Sequence, residues 1–506
     1  MINILEYLEK TPDFDQIAFA DTTTELTFAQ LYQHARAIGS FLAAHGSYKQ
    51  PIPVLMEKSP RMIAAFLGVV YSGNVYVPLD AAMSESRIGM IVEKINPLCM
   101  VCDASTRESA HALLNASIDP PIKSGCDVYE FSTMVTHAID DDALRSIRRR
   151  AVDVDPVYVV FTSGSTGIPK GIVANHRAVI DYIESLCPVL DVNAHTVFGN
   201  QSPLYLDACL KEIFPTLKYG AKTFLIPPSL FSFPVRLIEW INDRKINTIC
   251  WVSSALSLVA GLGALEKQVP KTLKLVAFGS EVLPQKHLAK WRESLPNAKF
   301  LHLYGPTETT GMAAYFVVNR DFAHDEPLPI GRPFPNREII LLTDDGKMPD
   351  PGEPGEIHIR GSQLSLGYFA DKKRTAAAFV QNPLSPFPDI LYKTGDLGYQ
   401  NADGDFVFIA RRDHQIKHMG HRIELTEIEA AARCLDGIEM ACAIFDAEKS
   451  RIIFYYVSVN VDNPQLRLHL KSVLPRYMQP HEINRLETMP LTPGGKIDRM
   501  QLKGLK

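Results

Sequence analysis

Short apolar runs alternate with amphipathic segments through most of residues 1–320. Residues 62–71 carry apolar side chains at helical spacing, whereas residues 74–79 and 157–161 are mostly apolar runs of strand length. Strands that alternate with helices in this way bury both faces of a mostly parallel sheet. The pattern therefore predicts stacked α/β layers.

The pattern changes between about residues 329 and 409. Residues 337–342 and 355–360 are short strand-like runs, and Asp, Gly and Pro turns separate them. This part of the chain is therefore expected to form a smaller, β-barrel-like subdomain.

A polar, charged interruption at residues 411–417 ends the β-rich part. Beyond it the pattern restarts with a helix from Thr426 and a strand near Ala441. We expect a large N-terminal region over residues 1–411, made of two α/β subdomains and the β-rich one. A small, mobile α+β domain is expected over residues 412–506.

Composition excludes several classes of protein. The chain has 506 residues, 46% of them hydrophobic and 22% charged, which is ordinary for a globular protein of two to four domains. A net charge of −5, with one short basic run at residues 145–150, argues against a nucleic-acid partner. The eight cysteines are too sparse for a disulfide scaffold, and the Cys99 and Cys102 pair lacks a second pair for a zinc site.

Membrane and export signals are not expected either. No apolar stretch approaches the roughly 18 to 20 residues that span a bilayer. Residues 1–6 lack the basic start and apolar centre of a signal peptide. A cytoplasmic enzyme without a membrane partner is the expectation.

Residues 161–171 combine hydroxyls, glycines and one lysine directly after a strand-like run. Glycines let the backbone approach an anion, hydroxyls donate hydrogen bonds, and Lys170 supplies positive charge. Pro169 precedes Lys170, so this is not the common P-loop. A flexible linker is the alternative, but linkers rarely separate two apolar runs. The candidate ATP contacts here are Thr162, Ser163, Gly164, Ser165, Thr166, Gly167 and Lys170.

Five ordered motifs resemble the adenylate-forming superfamily. Its members include acyl-CoA synthetases, firefly luciferase, the adenylation domains of nonribosomal peptide synthetases and D-alanine carrier-protein ligases. The motifs are the loop above, residues 304–308, residues 392–397, the Asp413 segment and residues 494–499. The resemblance implies that a carboxylate attacks the α-phosphorus of ATP, which gives an acyl-AMP and pyrophosphate. A thiol then takes the acyl group.

The resemblance implies a role for each charged motif residue. Attack of an anion on a polyanion needs charge neutralisation and alignment. Lys496 matches the lysine that bridges the substrate carboxylate and the phosphate, and is the principal catalytic candidate. Glu308 matches the acid that coordinates Mg²⁺, and Thr307 the residue that helps to hold the phosphates. Asp413 matches the hinge around which the terminal domain rotates between the two steps.

The nucleotide contacts follow from the same resemblance. Tyr304 matches the aromatic residue that stacks on adenine, Asp396 the acceptor of the ribose hydroxyls, and Arg411 a further ribose or phosphate contact. Asp396 in a Gly-Asp turn could alternatively be a turn former. Ala410 stands where a glycine is usual, and His302 where asparagine is frequent. The other implied nucleotide contacts are Gly279, Ser280, Glu281, His302 and Gly305.

Asp207 stands where an aspartate marks amino-acid substrates in this family. A carboxylate facing a ligand ammonium makes a charge-assisted hydrogen bond, whereas one facing a fatty chain would be unpaired. A helix N-cap is its alternative role. Lys211, four residues on, either pairs with Asp207 or points to solvent, or it recognises an acidic or hydrogen-bonding side chain. The remaining pocket positions are Ala208, Ser253, Val276, Phe278, Leu303, Gly311 and Met312.

No carrier domain follows the motifs before Lys506, so we expect a carrier protein to act in trans through its phosphopantetheine thiol. The sequence therefore predicts an ATP- and Mg²⁺-dependent enzyme that adenylates an amino acid for such a carrier in nonribosomal peptide or related secondary metabolism. The alternatives are a D-alanine carrier-protein ligase for teichoic acid decoration, an acyl- or aryl-CoA synthetase, and an inactive nucleotide-binding homologue.

Overall fold

The computed structural model describes residues 1–11, 13–115, 126–164, 168–323, 326–413, 415–447, 449–492 and 497–505. The strands are β1 (Ile17–Ala20), β2 (Glu25–Thr27), β3 (Pro51–Met56), β4 (Val75–Asp80), β5 (Cys99–Cys102), β6 (Asp127–Glu130), β7 (Pro156–Thr162), β8 (Lys170–Asn175), β9 (Val197–Asn200), β10 (Lys222–Leu225), β11 (Thr248–Val252), β12 (Leu275–Gly279), β13 (Lys299–Tyr304), β14 (Ala314–Val317), β15 (Arg332–Pro333), β16 (Arg337–Leu342), β17 (Gly355–Gly361), β18 (Phe379–Gln381), β19 (Ile390–Gln400), β20 (Phe406–Arg411), β21 (Gln415–His418), β22 (His421–Glu424), β23 (Ile438–Asp446), β24 (Arg451–Ser458) and β25 (Glu482–Arg485).

The α-helices are α1 (Leu5–Glu9), α2 (Phe28–Ala44), α3 (Pro60–Tyr71), α4 (Glu85–Ile95), α5 (Arg107–Asn115), α6 (Phe131–Met134), α7 (Asp141–Arg150), α8 (His176–Val189), α9 (Leu210–Tyr219), α10 (Pro234–Asp243), α11 (Ser253–Gly261), α12 (Ala264–Lys267), α13 (Gln285–Ser294), α14 (Lys372–Ala378), α15 (Leu425–Arg433), α16 (Asn463–Val473) and α17 (Arg499–Gly504). Short 3₁₀ turns lie at Asp207–Cys209, Pro228–Ser232, Thr307–Thr309 and Arg476–Met478.

The chain divides into two compact units. Unit 1 comprises residues 1–81, 95–160 and 171–412, and unit 2 comprises residues 82–94, 161–170 and 413–506. No helix in the described ranges has the length and apolar content that crossing a bilayer requires.

The largest sheet of unit 1 has nine strands in the order β15-β14-β13-β12-β11-β9-β10-β1-β2. Its central strands are parallel, and both β11 and β12 are buried along their whole length. Strands buried on both faces read as continuous apolar runs, which explains the sequence Leu-Val-Ala-Phe-Gly of β12. The loops after β12 and β13 therefore emerge at one edge of the sheet, where ligands of α/β proteins bind.

A second sheet has six strands in the order β6-β5-β3-β4-β7-β8. The predicted helix over 62–71 is confirmed as α3, which begins at Pro60 because the Ser59 side chain caps Met62 N–H. The strands predicted at 74–79 and 157–161 are confirmed as β4 and β7.

A third, antiparallel sheet carries the order β16-β17-β19-β18, and β20 pairs with β19. Its apolar face includes Ile339, Leu341, Ile357 and Ile359. This mixed α/β architecture confirms the predicted fold class.

Unit 2 contains the hairpin β21-β22 and the sheet β23-β24-β25. Helices α15 and α16 pack on that sheet around Ile428, Phe454 and Leu470. The helix predicted from Thr426 is confirmed as α15, which begins one residue earlier. Arg87 and Glu427 form a buried ion pair at 2.6 Å within this unit, and each side chain is 3% exposed.

Candidate active site

Two loops of unit 1 meet at Asp207. The side-chain hydroxyl of Thr307 donates to Asp207 Oδ1 at 3.2 Å, although 100 positions separate the two residues. Burial raises the pKa of the Asp207 carboxyl, and the Lys211 ammonium is the strongest influence that lowers it. Asp207 opens its 3₁₀ turn as the first residue, and Leu206 is the cap. The alternative N-cap role of Asp207 is therefore not the one that this structure shows.

Lys211 lies in a buried group of charges on and beside α9. Only 3% of Lys211 is exposed, so the alternative that it points to solvent is wrong. Glu212 is fully buried, and Asn200 donates to its Oε2 at 3.3 Å. Burial raises the pKa of Glu212 to about 7, and burial lowers the pKa of Lys58 to about 8. Among the described residues, no side chain forms a direct ion pair or hydrogen bond with Lys211.

The apolar pocket positions fall into two cores. Leu303 and Met312 lie in the core that also holds Tyr182 of α8 and Cys209 beside Asp207. Val276 and Phe278 instead pack with Trp251 and the helices α10 to α13. The structure thus groups Leu303 and Met312 with Asp207, and places Val276 and Phe278 on the other face of the sheet.

Three small residues complete the predicted pocket set. Gly311 has a φ of +90°, and a Cβ there would lie 2.4 Å from the Tyr182 ring, so only glycine fits. The Ser253 hydroxyl donates to the carbonyl of Glu281 at 2.8 Å. Ala208 is half-buried in the turn that begins at Asp207.

Glu308 is fully buried in the turn that follows β13. The Tyr368 hydroxyl donates to Glu308 Oε1 at 2.7 Å, and Ser365 N–H donates to the Glu308 carbonyl at 2.9 Å. A carboxylate is an oxygen ligand of the kind that Mg²⁺ prefers.

The protein alone does not supply a complete metal cage. Within the described ranges, no group of three or more His, Cys, Asp or Glu side chains could hold a metal ion. Mg²⁺ in nucleotide sites is usually held by one or two carboxylates together with substrate phosphates. Glu308 fits that arrangement.

Tyr304, Asp396 and Arg411 form a second buried cluster in unit 1. The Tyr304 hydroxyl donates to Asp396 Oδ2 at 2.5 Å, and the Arg411 guanidinium donates to Asp396 Oδ1. Burial and the adjacent Asp396 carboxylate raise the pKa of Tyr304 well above its usual range. A carboxylate offers about four acceptor sites, so two hydroxyls of a ribose could still bind there. The structure therefore brings these three predicted nucleotide contacts together.

The loop after β12 is tightly constrained. A Cβ on Gly279 would lie 2.2 Å from the carbonyl oxygen of Leu303, and Ser280 has a φ of +69°. The Glu281 carboxylate accepts from Ser254 N–H at 3.1 Å, which satisfies one backbone donor in the first turn of α11.

Two predicted nucleotide contacts lie on or next to β13. His302 Nδ1 lies 2.7 Å from the Pro329 carbonyl, and its ring stacks on Phe278 at 5.3 Å. Gly305 follows that strand, where a Cβ would approach the Gly311 carbonyl oxygen to 2.3 Å.

Four of the predicted phosphate-loop residues are described, and each is buried or nearly so. Gly164 N–H donates to Glu427 Oε2 at 3.0 Å, and the Ser163 hydroxyl donates to the Arg422 carbonyl. Lys170 Nζ lies 3.9 Å from Glu424 Oε1. Thr162 is 7% exposed at the end of β7. Acceptor oxygens of unit 2 therefore lie next to the donors that were predicted to contact phosphate. Ser165, Thr166 and Gly167 lie outside the described residues.

Of the two C-terminal candidates, the structure describes Asp413 but not Lys496. Asp413 is exposed, and its Oδ1 accepts from Gln415 N–H at 3.1 Å in a local turn. Lys496 lies outside the described residues, so its bridging role stays a prediction.

Sequence reasoning missed several residues that hold the site. Tyr368 supports Glu308, and Thr394 accepts from Asp396 N–H at 3.0 Å. The ring of Tyr182 closes one side of the Gly311 turn. Thr394 lay inside the recognised motif at residues 392–397, but Tyr368 and Tyr182 lie in segments whose local pattern carries no chemical signal.

Comparisons with known proteins find a matching family model and similar chains. Residues 6–369 match the family model described as AMP-binding enzyme. Bacitracin synthase 1 of Bacillus licheniformis is 29% identical over 502 residues, which cover 98% of this chain and 9% of that protein. The chain therefore spans less than a tenth of this curated relative.

Two solved structures share the fold. An artificially fused adenylation–PCP di-domain from Klebsiella oxytoca, NpsA-ThdA, has a TM-score of 0.80 at 20% identity and covers 96% of this chain and 94% of that chain. The o-succinylbenzoate CoA synthetase of Bacillus subtilis has a TM-score of 0.82 at 21% identity and covers 100% of this chain and 98% of that chain. At these identities the likeness concerns the fold alone.

Proposed function

Because this chain belongs to the AMP-binding enzyme family, the adenylate-forming superfamily, we propose that it activates an amino acid with ATP. In the proposed reaction the amino acid carboxylate attacks the α-phosphorus of ATP, which forms an aminoacyl-AMP and releases pyrophosphate. The aminoacyl group then passes to the phosphopantetheine thiol of a separate carrier protein.

The observation that carries this proposal is the hydrogen bond from Thr307 to Asp207. Thr307 belongs to the motif that resembles the phosphate-handling turn, and Asp207 is the acid that would bind an ammonium group. Their contact at 3.2 Å means that an α-ammonium on Asp207 would hold the neighbouring carboxylate close to this turn. A fatty acid would instead place an apolar chain against the Asp207 charge and offer it no ammonium group.

Each charged group then has a defined task. Asp207 binds and orients the ammonium group. Mg²⁺, held by Glu308 and phosphate oxygens, would offset negative charge on the ATP. Asp396 and Tyr304 would bind the nucleoside, and Lys496 would bridge the two reacting anions.

Lys211 supports an acidic or hydrogen-bonding substrate side chain. It is buried one helical turn beyond Asp207, and the described residues give it no direct ion pair. A buried ammonium is costly unless an anion or several acceptors accompany it. Asp207 and Glu212 supply negative charge nearby, and a substrate carboxylate or amide oxygen would add a direct partner.

Pyrophosphate exchange against a panel of amino, fatty and aryl acids tests the proposal. We expect exchange only with amino acids, and Asp207→Asn should reduce it by about 100-fold because a charge-assisted bond is lost. Asp191→Asn, which changes an aspartate in an ion pair with Lys299, is the matched control. Exchange with a fatty or aryl acid that survives Asp207→Asn would favour an acyl-CoA synthetase. Absence of exchange with every acid would favour an inactive homologue.

Loading of candidate carriers tests the second step. Radiolabelled amino acid should appear on a phosphopantetheinylated carrier, and not on the same carrier without the prosthetic group. Specific loading of D-alanine would favour the D-alanine ligase alternative.

A further inference from the structure

Tyr368 contacts the carboxylate that the proposed function assigns to the metal. Its hydroxyl lies 2.7 Å from Glu308 Oε1, and both residues are buried, at 8% and 0% exposure. A lysine or arginine in this place would neutralise the carboxylate. A phenol donates one hydrogen bond to the carboxylate and adds no positive charge of its own.

Backbone hydrogen bonds fix the Tyr368 segment against strand β8. Val173 N–H donates to the Gly367 carbonyl at 3.0 Å, and Phe369 N–H donates to the Gly171 carbonyl at 2.7 Å. Tyr368 N–H donates to the Thr375 hydroxyl at 2.9 Å. The main chain of Tyr368 is therefore anchored on both sides, and burial limits rotation of its side chain.

The same segment also holds the main chain of Glu308. Ser365 N–H donates to the Glu308 carbonyl at 2.9 Å. Residues 365–369 thus hold both the backbone and the carboxylate of Glu308, and they tie both to the strand that follows the phosphate loop.

We propose that Tyr368 is a positioning residue that sets the orientation of the Glu308 carboxylate for a divalent cation on the bound nucleotide. The inference rests on the proposed function, since it takes Glu308 as the metal ligand. A carboxylate that is oriented in advance loses less conformational entropy when the metal binds. Hydrogen-bond partners of metal ligands typically contribute about 10- to 100-fold in metal affinity.

The experiment measures Mn²⁺ binding by electron paramagnetic resonance, with a non-hydrolysable ATP analogue present. Tyr368→Phe should weaken Mn²⁺ binding by about 10- to 100-fold, and it should raise the Mg²⁺ concentration needed for half-maximal exchange. Maximal exchange at saturating Mg²⁺ should fall far less, which separates positioning from catalysis. Tyr129→Phe is the matched control, because it removes another phenol–carboxylate hydrogen bond, to Asp127 on β6.

Glu308→Gln separates failure of this inference from failure of the proposed function. Unchanged Mn²⁺ binding in Glu308→Gln would remove Glu308 as a ligand, and this inference with it. Loss of binding in Glu308→Gln together with normal binding in Tyr368→Phe would overturn only the role of Tyr368.

A second variant keeps the test informative if Tyr368→Phe does not fold. Thr375→Val removes the hydroxyl that holds Tyr368 N–H, and should weaken Mn²⁺ binding in the same direction by a smaller factor. Unchanged Mn²⁺ binding in a folded Thr375→Val protein would contradict the proposal.

Discussion

At the scale of single residues, the candidate amino-acid site contains several charged side chains close together in the interior. Asp207, Lys211 and Glu212 lie within six positions, and burial raises the pKa of both acids while Lys211 acts against it. Groups with such perturbed environments often bind or react with ligands. Lys211 is the residue whose partner would identify the substrate class.

Replacement of Lys211 tests that identification. Lys211→Ala should reduce exchange with aspartate or glutamate by about 10- to 100-fold relative to neutral amino acids, since a desolvated charge pair is lost. Lys218→Ala on the same helix is the control, because Lys218 already pairs with Glu184 at 2.7 Å. Equal effects of Lys211→Ala on acidic and neutral amino acids would make this lysine structural.

At the scale of elements, α15 and the start of the phosphate loop are coupled through one carboxylate. Glu427 accepts from Arg87 at 2.6 Å and from Gly164 N–H at 3.0 Å, so three separated segments of unit 2 share a single acceptor. Breaking one partner of a buried ion pair costs more than the pair itself contributes, because the other charge remains buried.

Glu427→Gln should therefore loosen unit 2 locally. A glutamine oxygen can replace only one of the two carboxylate oxygens that accept hydrogen bonds. A loss of about 3 kcal/mol in local stability corresponds to about 100-fold faster hydrogen exchange of the backbone amides. Hydrogen exchange followed by mass spectrometry should show this in the peptide that spans α15. Glu439→Gln, which alters an exposed acid on β23, should leave the hydrogen exchange of this peptide unchanged. Wild-type protection of α15 in Glu427→Gln would show that the pair contributes little to this unit.

At the scale of the whole molecule, the two proposed reaction steps require different residues. Unit 1 holds the described candidates for the amino acid, the nucleoside and the metal, whereas the segment 161–170 and residues 413–506 belong to unit 2. The resemblance assigns Lys496 to adenylation, and the thiol step should not need it. The steps can therefore be separated by mutation.

Lys496→Ala should reduce exchange by about 100- to 1,000-fold, because a charge that bridges two anions is lost. Transfer from chemically prepared aminoacyl-AMP to the carrier should change much less. Lys503→Ala in α17 is the control within the same part of the chain. A similar loss in both steps would contradict the bridging role.

The sequence by itself determined the fold class, the main elements and the types of residue in the chemical motifs. Apolar periodicity is local, so α3, β4 and β7 could be predicted from it to within a few residues. The recognised motifs named Asp396 and Tyr304 because few side chains can perform the chemistry that the motifs imply.

Only the tertiary structure decided which of these residues meet and how deeply they lie. The contacts Asp207–Thr307, Glu308–Tyr368 and Arg87–Glu427 join positions that are 100, 60 and 340 residues apart. The burial of Lys211 depends on every segment around it, and the division of the apolar pocket positions depends on which face of β12 or β13 each side chain occupies. Such contacts and burial depend on how segments that are distant in the sequence pack together, and the local periodicity of the sequence does not determine that packing.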